Sequence, residues 1–236
     1  LKFTLRNHDP GMGTAAMLRA AGVGVGDEVI VPAFGNVEIS EAVTLVGAHP
    51  VFADIDPVSY CLDASAVEAV VTPRTAAVVV VHRFGRPADV ERLRGVGQRH
   101  GILVLEQAES EAPYDEIAQR RQRAAYLDAK LKGVYTPDGG VGHTYQQYVV
   151  RVPGNGRPDR DAFARAVRGR GVECRVPVKT PVHRLPAFRQ CVSLPETERA
   201  AAETLALPVD GALTKRDMQL IVSACNALGG LLQPAF

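Results

Sequence analysis

The sequence predicts an α/β fold, a mostly parallel sheet covered by helices, followed by a smaller C-terminal α+β domain. Three observations lead there. The apolar runs at 28–31, 51–53, 76–81 and 102–105 are nearly unbroken, as in strands buried on both faces. Stretches with helical spacing of apolar residues separate them. After Tyr114 the alternation gives way to one long helix and then to mixed elements.

Taken in order, residues 2–6 form a first strand candidate and 13–21 a helix with Ala, Met and Leu at helical spacing. A glycine-rich turn leads into the strand at 28–31, which Pro32 stops. Helices are expected near 37–46, 64–71 and 88–100, each followed by one of the remaining strands. "YDEIAQRRQRAAYLDAKL" carries Ile117, Ala124, Leu127 and Leu131 on one stripe and is expected to end before Gly133. The rest reads as a strand at 148–152, a helix at 161–168 behind an Asp159 cap, a strand at 172–176, and helices near 196–205 and 214–228. The domains expected are 1–112, a linker helix over 113–133, and 134–236.

Of the 236 residues, 46% are hydrophobic and 22% charged, with a net charge of +1. Apart from Arg120, Arg121 and Arg123 the cations are scattered, so neither nucleic acid nor an anionic membrane is expected as a partner. The longest apolar run, 76–81, is far too short to span a bilayer. Cys61, Cys174, Cys191 and Cys225 lie far apart without CxxC spacing, so no metal site or disulfide framework is expected, and a cytoplasmic location with reduced thiols is.

The stretches "GMGTAAMLRA", "GVGVGDEVIVPAF", "GAHPVFADIDPVSYCLD", "TPRTAAVVVVHRFGRPADVERL" and "HGILVLEQA" occur in an order that resembles the DegT/DnrJ/StrS family of sugar aminotransferases, of PLP fold type I. "YQQYVVRV", "VECRVPVKTPVHRLPAF" and "SLPETERAAAETLALPVDGALT" resemble the family's C-terminal domain. The resemblance covers nearly the whole chain. It implies a pyridoxal-phosphate enzyme with a Schiff-base lysine, a carboxylate beneath the pyridine nitrogen, an aromatic stacked on the ring and donors for the phosphate. Gly13 and Thr14 match the phosphate position. Asn36 stands where the family has its stacking aromatic, and it offers no extended π face. Gln107 replaces the pyridine-binding Asp, Ser110 the Gln near the ring hydroxyl, and Glu109 an Ala. An amide can hydrogen-bond a ring nitrogen without supplying the charge that holds a pyridinium proton. The family's long segment carrying the lysine is absent between Ser110 and the linker helix, and Lys2, Lys130, Lys132, Lys179 and Lys215 lie in other contexts.

Polar residues expected to line the crevice beyond the strands are Glu38, His82, Arg83, Glu106, Gln107 and Glu109, with His143, Tyr145, Lys179 and His183 from the second domain. Each also has a plainer reading, as a strand cap, a core histidine or a solvated charge. The expectation is a degenerate, aminotransferase-like protein without PLP and without transaminase activity. It would bind a sugar-derived ligand, or pair with itself or an active relative in nucleotide-sugar or secondary metabolism. Two alternatives stay open: an active PLP-dependent nucleotide-sugar aminotransferase whose central segment is not in this sequence, and a cofactor-free acid–base enzyme using Glu106 or Glu109 with His82 or His183.

Overall fold

The computed structural model describes residues 10–107, 113–153 and 160–229. Its described residues group into two compact units. One holds 10–83, 87–107 and 180–198; the other holds 84–86, 113–153, 160–179 and 199–229. The strand candidate at 2–6 and the Asp159 cap lie outside the described residues.

The first unit is built on β1 (Glu28–Pro32), β2 (His49–Ala53), β3 (Thr75–Val81) and β4 (Leu103–Gln107), parallel in the order β2-β1-β3-β4. Ile30 stands beside Val51 and Val78, and Val78 beside Val104. Alternation along the strands explains the unbroken apolar runs. Val29, Val31, Ala77 and Val79 pack with Leu18, Ile39 and Val43 of α1 (Pro10–Ala20) and α2 (Val37–Leu45). Ile30, Val78 and Val80 pack on the other face with Val67, Leu93 and Val96 of α3 (Ala64–Ala69) and α4 (Val90–His100). Both faces are therefore dry, as α/β crossovers require.

Local chemistry fixes the helix ends. The carboxylates of Asp63 and Asp89 accept from Ala66 N at 2.8 Å and Arg92 N at 3.1 Å. Gly101 closes α4 at φ 69°, a left-handed position suited to glycine. Residues 180–198, from the far end of the sequence, join this unit through Val182 N, which donates to Ala33 O at 2.9 Å.

The second unit contains α5 (Tyr114–Lys130), β5 (Tyr148–Arg151), α6 (Arg160–Arg168), β6 (Thr204–Leu207) and α8 (Lys215–Gly229), while α7 (Pro195–Glu203) leads directly into β6. β5 and β6 are antiparallel, with Tyr148, Val150, Leu205 and Leu207 turned into a core with Leu127, Phe163 and Ile221. Two expectations need correction. The strand at 172–176 reduces to one bridge, Arg175 to Ala206, because Pro177 follows at once and cannot donate to a ladder. The helix near 196–205 stops at Glu203, and Thr204–Leu207 forms a strand because all four side chains are buried against β5 and its surroundings.

Candidate functional site

In the first unit the chain crosses to opposite sides of β1. β2 lies on one side and β3 on the other, so the order reverses between β1 and β3. Ligands of open parallel sheets bind beyond the carboxyl ends of strands at such a reversal. Phe34, Gly35 and Asn36 follow β1 here; His82 and Arg83 follow β3. The Arg83 guanidinium lies 5.5 Å from the centre of the buried Phe34 ring, a cation–π contact across the reversal point. Asn36 is exposed and starts α2 without capping it. Glu38, in the first turn of α2, has Oε2 buried with no hydrogen-bond partner among the described residues. A helix N-terminus favours that charge, and the empty acceptor is suited to a ligand N–H or O–H.

The strand expected to end at 105 runs on through Glu106 and Gln107, which pair with Val80 and Val81. Successive strand side chains point to opposite faces, so these two do not line one crevice as expected. Glu106 shares the face of Val80 and α4, and Gln107 that of Val81 and α1. Glu109 and Ser110 lie outside the described residues.

His82 and Glu106 do meet. His82 Nε2 is 3.0 Å from Glu106 Oε1, while His82 Nδ1 accepts from Ala88 N at 3.0 Å. An acceptor at Nδ1 carries no proton, so the ring is the neutral tautomer with Nε2–H donating to the carboxylate. Arg94, missing from the expected set, reaches Glu106 Oε2 at 3.4 Å and Glu91 Oε1 at 2.6 Å. Its only sequence signal is the three-residue spacing from Glu91 on a helix. With His82 held from both sides and Glu106 shared by the neutral imidazole and the Arg94 guanidinium, this network fastens the loop after β3 to β4.

His183 is expected near an entrance, and the structure buries it at 1% exposure, with its ring 6.3 Å from that of Phe52. Its Nε2 lies 3.5 Å from Glu198 Oε1, too long and poorly aimed for an ordinary hydrogen bond. That same oxygen is held by Arg184 at 2.6 Å, which lowers the Glu198 pKa. Neighbouring Asp54 accepts from Glu196 N at 3.0 Å and Thr197 N at 2.8 Å and so caps α7 from 142 residues away.

In the second unit His143 is buried, stacked on Tyr145 at 4.0 Å, and its Nδ1 accepts from Tyr145 N. Burial first, then the Arg86 and Arg121 charges, push its pKa down to about 4. Lys179 is exposed. Burial also drives the Cys225 thiol up to about 12, and Cys61, Cys174 and Cys225 are all buried as free thiols. Among the described residues no cluster of metal-ligating side chains occurs, and no helix is long and apolar enough to cross a membrane.

Gly13 and Thr14 are expected to open the first helix, yet α1 begins at Pro10. Counted from Pro10, the N–H groups of Gly13 and Thr14 both fall within the helical ladder, so neither is left over as a first-turn donor. The Thr14 side chain is fully buried. What this end of α1 would offer a phosphate is the positive pole of the helix rather than the Gly13 and Thr14 groups themselves. For PLP the fit at the phosphate end would thus rest on the helix dipole, and at the ring on the Gln107 amide, without the charge or the stacking surface.

Comparison with known proteins revises the functional expectation. An L-glutamine:2-deoxy-scyllo-inosose aminotransferase of Streptomyces kanamyceticus is 53% identical over 97 residues, 40% of this chain and 23% of that protein. The chain thus aligns with less than a quarter of that relative's length. The pleiotropic regulatory protein of Geobacillus stearothermophilus is 28% identical over 299 residues, covering 87% of this chain and 79% of that protein. That match is longer than the 236-residue chain itself, so the relative carries positions within it that have no counterpart here. The fold is shared with NtdA of Bacillus subtilis, a structure with bound cofactor PMP, at a TM-score of 0.83 and 17% identity over 94% of this chain and 72% of that one. The expectations of a pseudoenzyme and of no cofactor are overturned: close relatives are named as aminotransferases, and a protein of the same fold holds PMP. A model of the DegT/DnrJ/EryC1/StrS aminotransferase family matches residues 11–113 and 111–226, and the chain belongs to that family.

Proposed function

We propose that this polypeptide is part of a PLP-dependent aminotransferase that places an amino group on a ketone of a sugar or cyclitol. The observation carrying this reading is the 53% identity to an enzyme named for 2-deoxy-scyllo-inosose. Bound PLP supplies the electron sink that makes amino transfer accessible. The first turn of α1 holds its phosphate, and Gln107, on the sheet face that α1 covers, hydrogen-bonds the ring nitrogen. The Glu38 Oε2 acceptor receives a hydroxyl of the substrate. The His82–Glu106–Arg94 network keeps β4 in register and so aims Gln107. The family model matches in two pieces that meet at 111–113, and we assign the anchoring lysine to family polypeptide absent at that break. By resemblance to its family the enzyme is a homodimer.

The protein isolated from its source is the test. An intact mass well above 25.2 kDa, visible absorbance with PLP that borohydride abolishes, and glutamine-dependent amination of 2-deoxy-scyllo-inosose are expected. A protein of 25.2 kDa that neither absorbs with PLP nor exchanges amino groups would sink the reading.

A further inference from the structure

The second unit carries a recess that the proposed reaction leaves unused. In β6, Leu205 and Leu207 enter the core, so Ala206 between them faces the other way. Cys174 likewise turns inward from the neighbouring segment, which puts Glu173 and Arg175 on the outer face with Ala206. Arg175 is locked there through its backbone: its N–H donates to Ala206 O at 3.0 Å and its carbonyl accepts from Ala206 N at 2.8 Å. Above Ala206 lies a cavity of about 280 Å³, bordered also by Gln146, Gln147 and Asp210.

The chemistry of this lining is mixed in charge. Arg120, at the border, is already paired with Glu116. Among the described residues neither the Arg175 guanidinium nor the Glu173 carboxylate takes part in an ion pair, although they stand two residues apart on one face, roughly 7 Å along the strand direction. Two primary amides add both donors and acceptors. No aromatic ring borders the recess for a sugar face to rest on, and its volume is below that of sites holding larger ligands.

We propose that this recess is a binding site for a free α-amino acid, with Arg175 taking the α-carboxylate, Glu173 the α-ammonium, and the Gln146 and Gln147 amides a polar side chain. Ala206 is the floor that leaves room for it. The recess is lined by residues of the second unit alone and needs neither cofactor nor turnover, so its fate is independent of the aminotransferase reading.

The experiment is calorimetric titration of the protein with L-glutamine, without PLP. Saturable binding in the millimolar range is expected, weakened roughly tenfold or more in Arg175→Ala and in Ala206→Leu, with thermal melting unchanged in the exposed Arg175 variant. N-acetyl-L-glutamine and L-glutaminol, each lacking one charge, should bind at least about tenfold more weakly than L-glutamine, and scyllo-inositol should not compete. Absence of saturation by about 50 mM, equal binding of scyllo-inositol or of L-glutaminol, or undiminished affinity in both variants would overturn the assignment.

Discussion

Gln107 is the residue whose chemistry most limits the proposed reaction. It sits at the end of β4 where the family resemblance calls for a carboxylate, and an amide stabilises the protonated pyridine less than a charge does. In the PLP-loaded enzyme Gln107→Asp should raise turnover about tenfold or more, read as kcat in steady-state kinetics, with little change in KM for the ketone. His143 sets a separate pH signature. Its folded pKa lies below the ordinary histidine value, so between about pH 6.5 and 4 the unfolded chain binds a proton that the folded one refuses. Stability is therefore complete above that window and falls as the pH drops through it, by about 3 kcal/mol at most. His143→Asn, which keeps an acceptor for Tyr145 N, should flatten this slope in urea titrations at pH 4.5 and 7, taken as roughly the ends of the window.

At the scale of elements, the tightest fit is between α4 and β4. A Cβ at Gly97 would meet Val104 Cγ2 at 2.7 Å and Ile102 O at 2.9 Å, the second a backbone atom that cannot swing away. Gly97→Ala should therefore destabilise the fold by about 1–2 kcal/mol, overpacking outweighing the gain in helix propensity, as chemical denaturation would show. α7 depends on a distant partner in the same way. Asp54→Ala removes the acceptor for Glu196 N and Thr197 N and should cost about 1–2 kcal/mol, while Asp54→Asn, which keeps an acceptor, should cost less. β1 to β4 were legible to within two residues because their side chains are apolar on both faces. β6 was not, because "TLAL" continues the helical spacing of α7, and only the pairing with β5 selects the extended form.

For the whole molecule, the order of motifs was enough to place the chain in its family, and the strand order then located a reversal point between β1 and β3. Function was misjudged from the ring positions alone: three substitutions and an absent lysine segment suggested loss of activity, against which stand relatives named as aminotransferases. Asn36 was singled out by the family resemblance, and Glu38 and Arg83 as residues that could line the crevice; Asn36 and Glu38 follow β1 and Arg83 follows β3. The pairing of His82 with Glu106 was raised as acid–base chemistry, and the Ala88 N–H turns it into a fixed, neutral link instead. Sequence by itself determined the alternation of buried strands and helices, since apolar periodicity is a local property of the chain. Only tertiary structure decided which neighbouring side chains share a face, which helix Asp54 caps, and that Ala206 opens onto a recess with Arg175, because these depend on register between segments far apart in the chain.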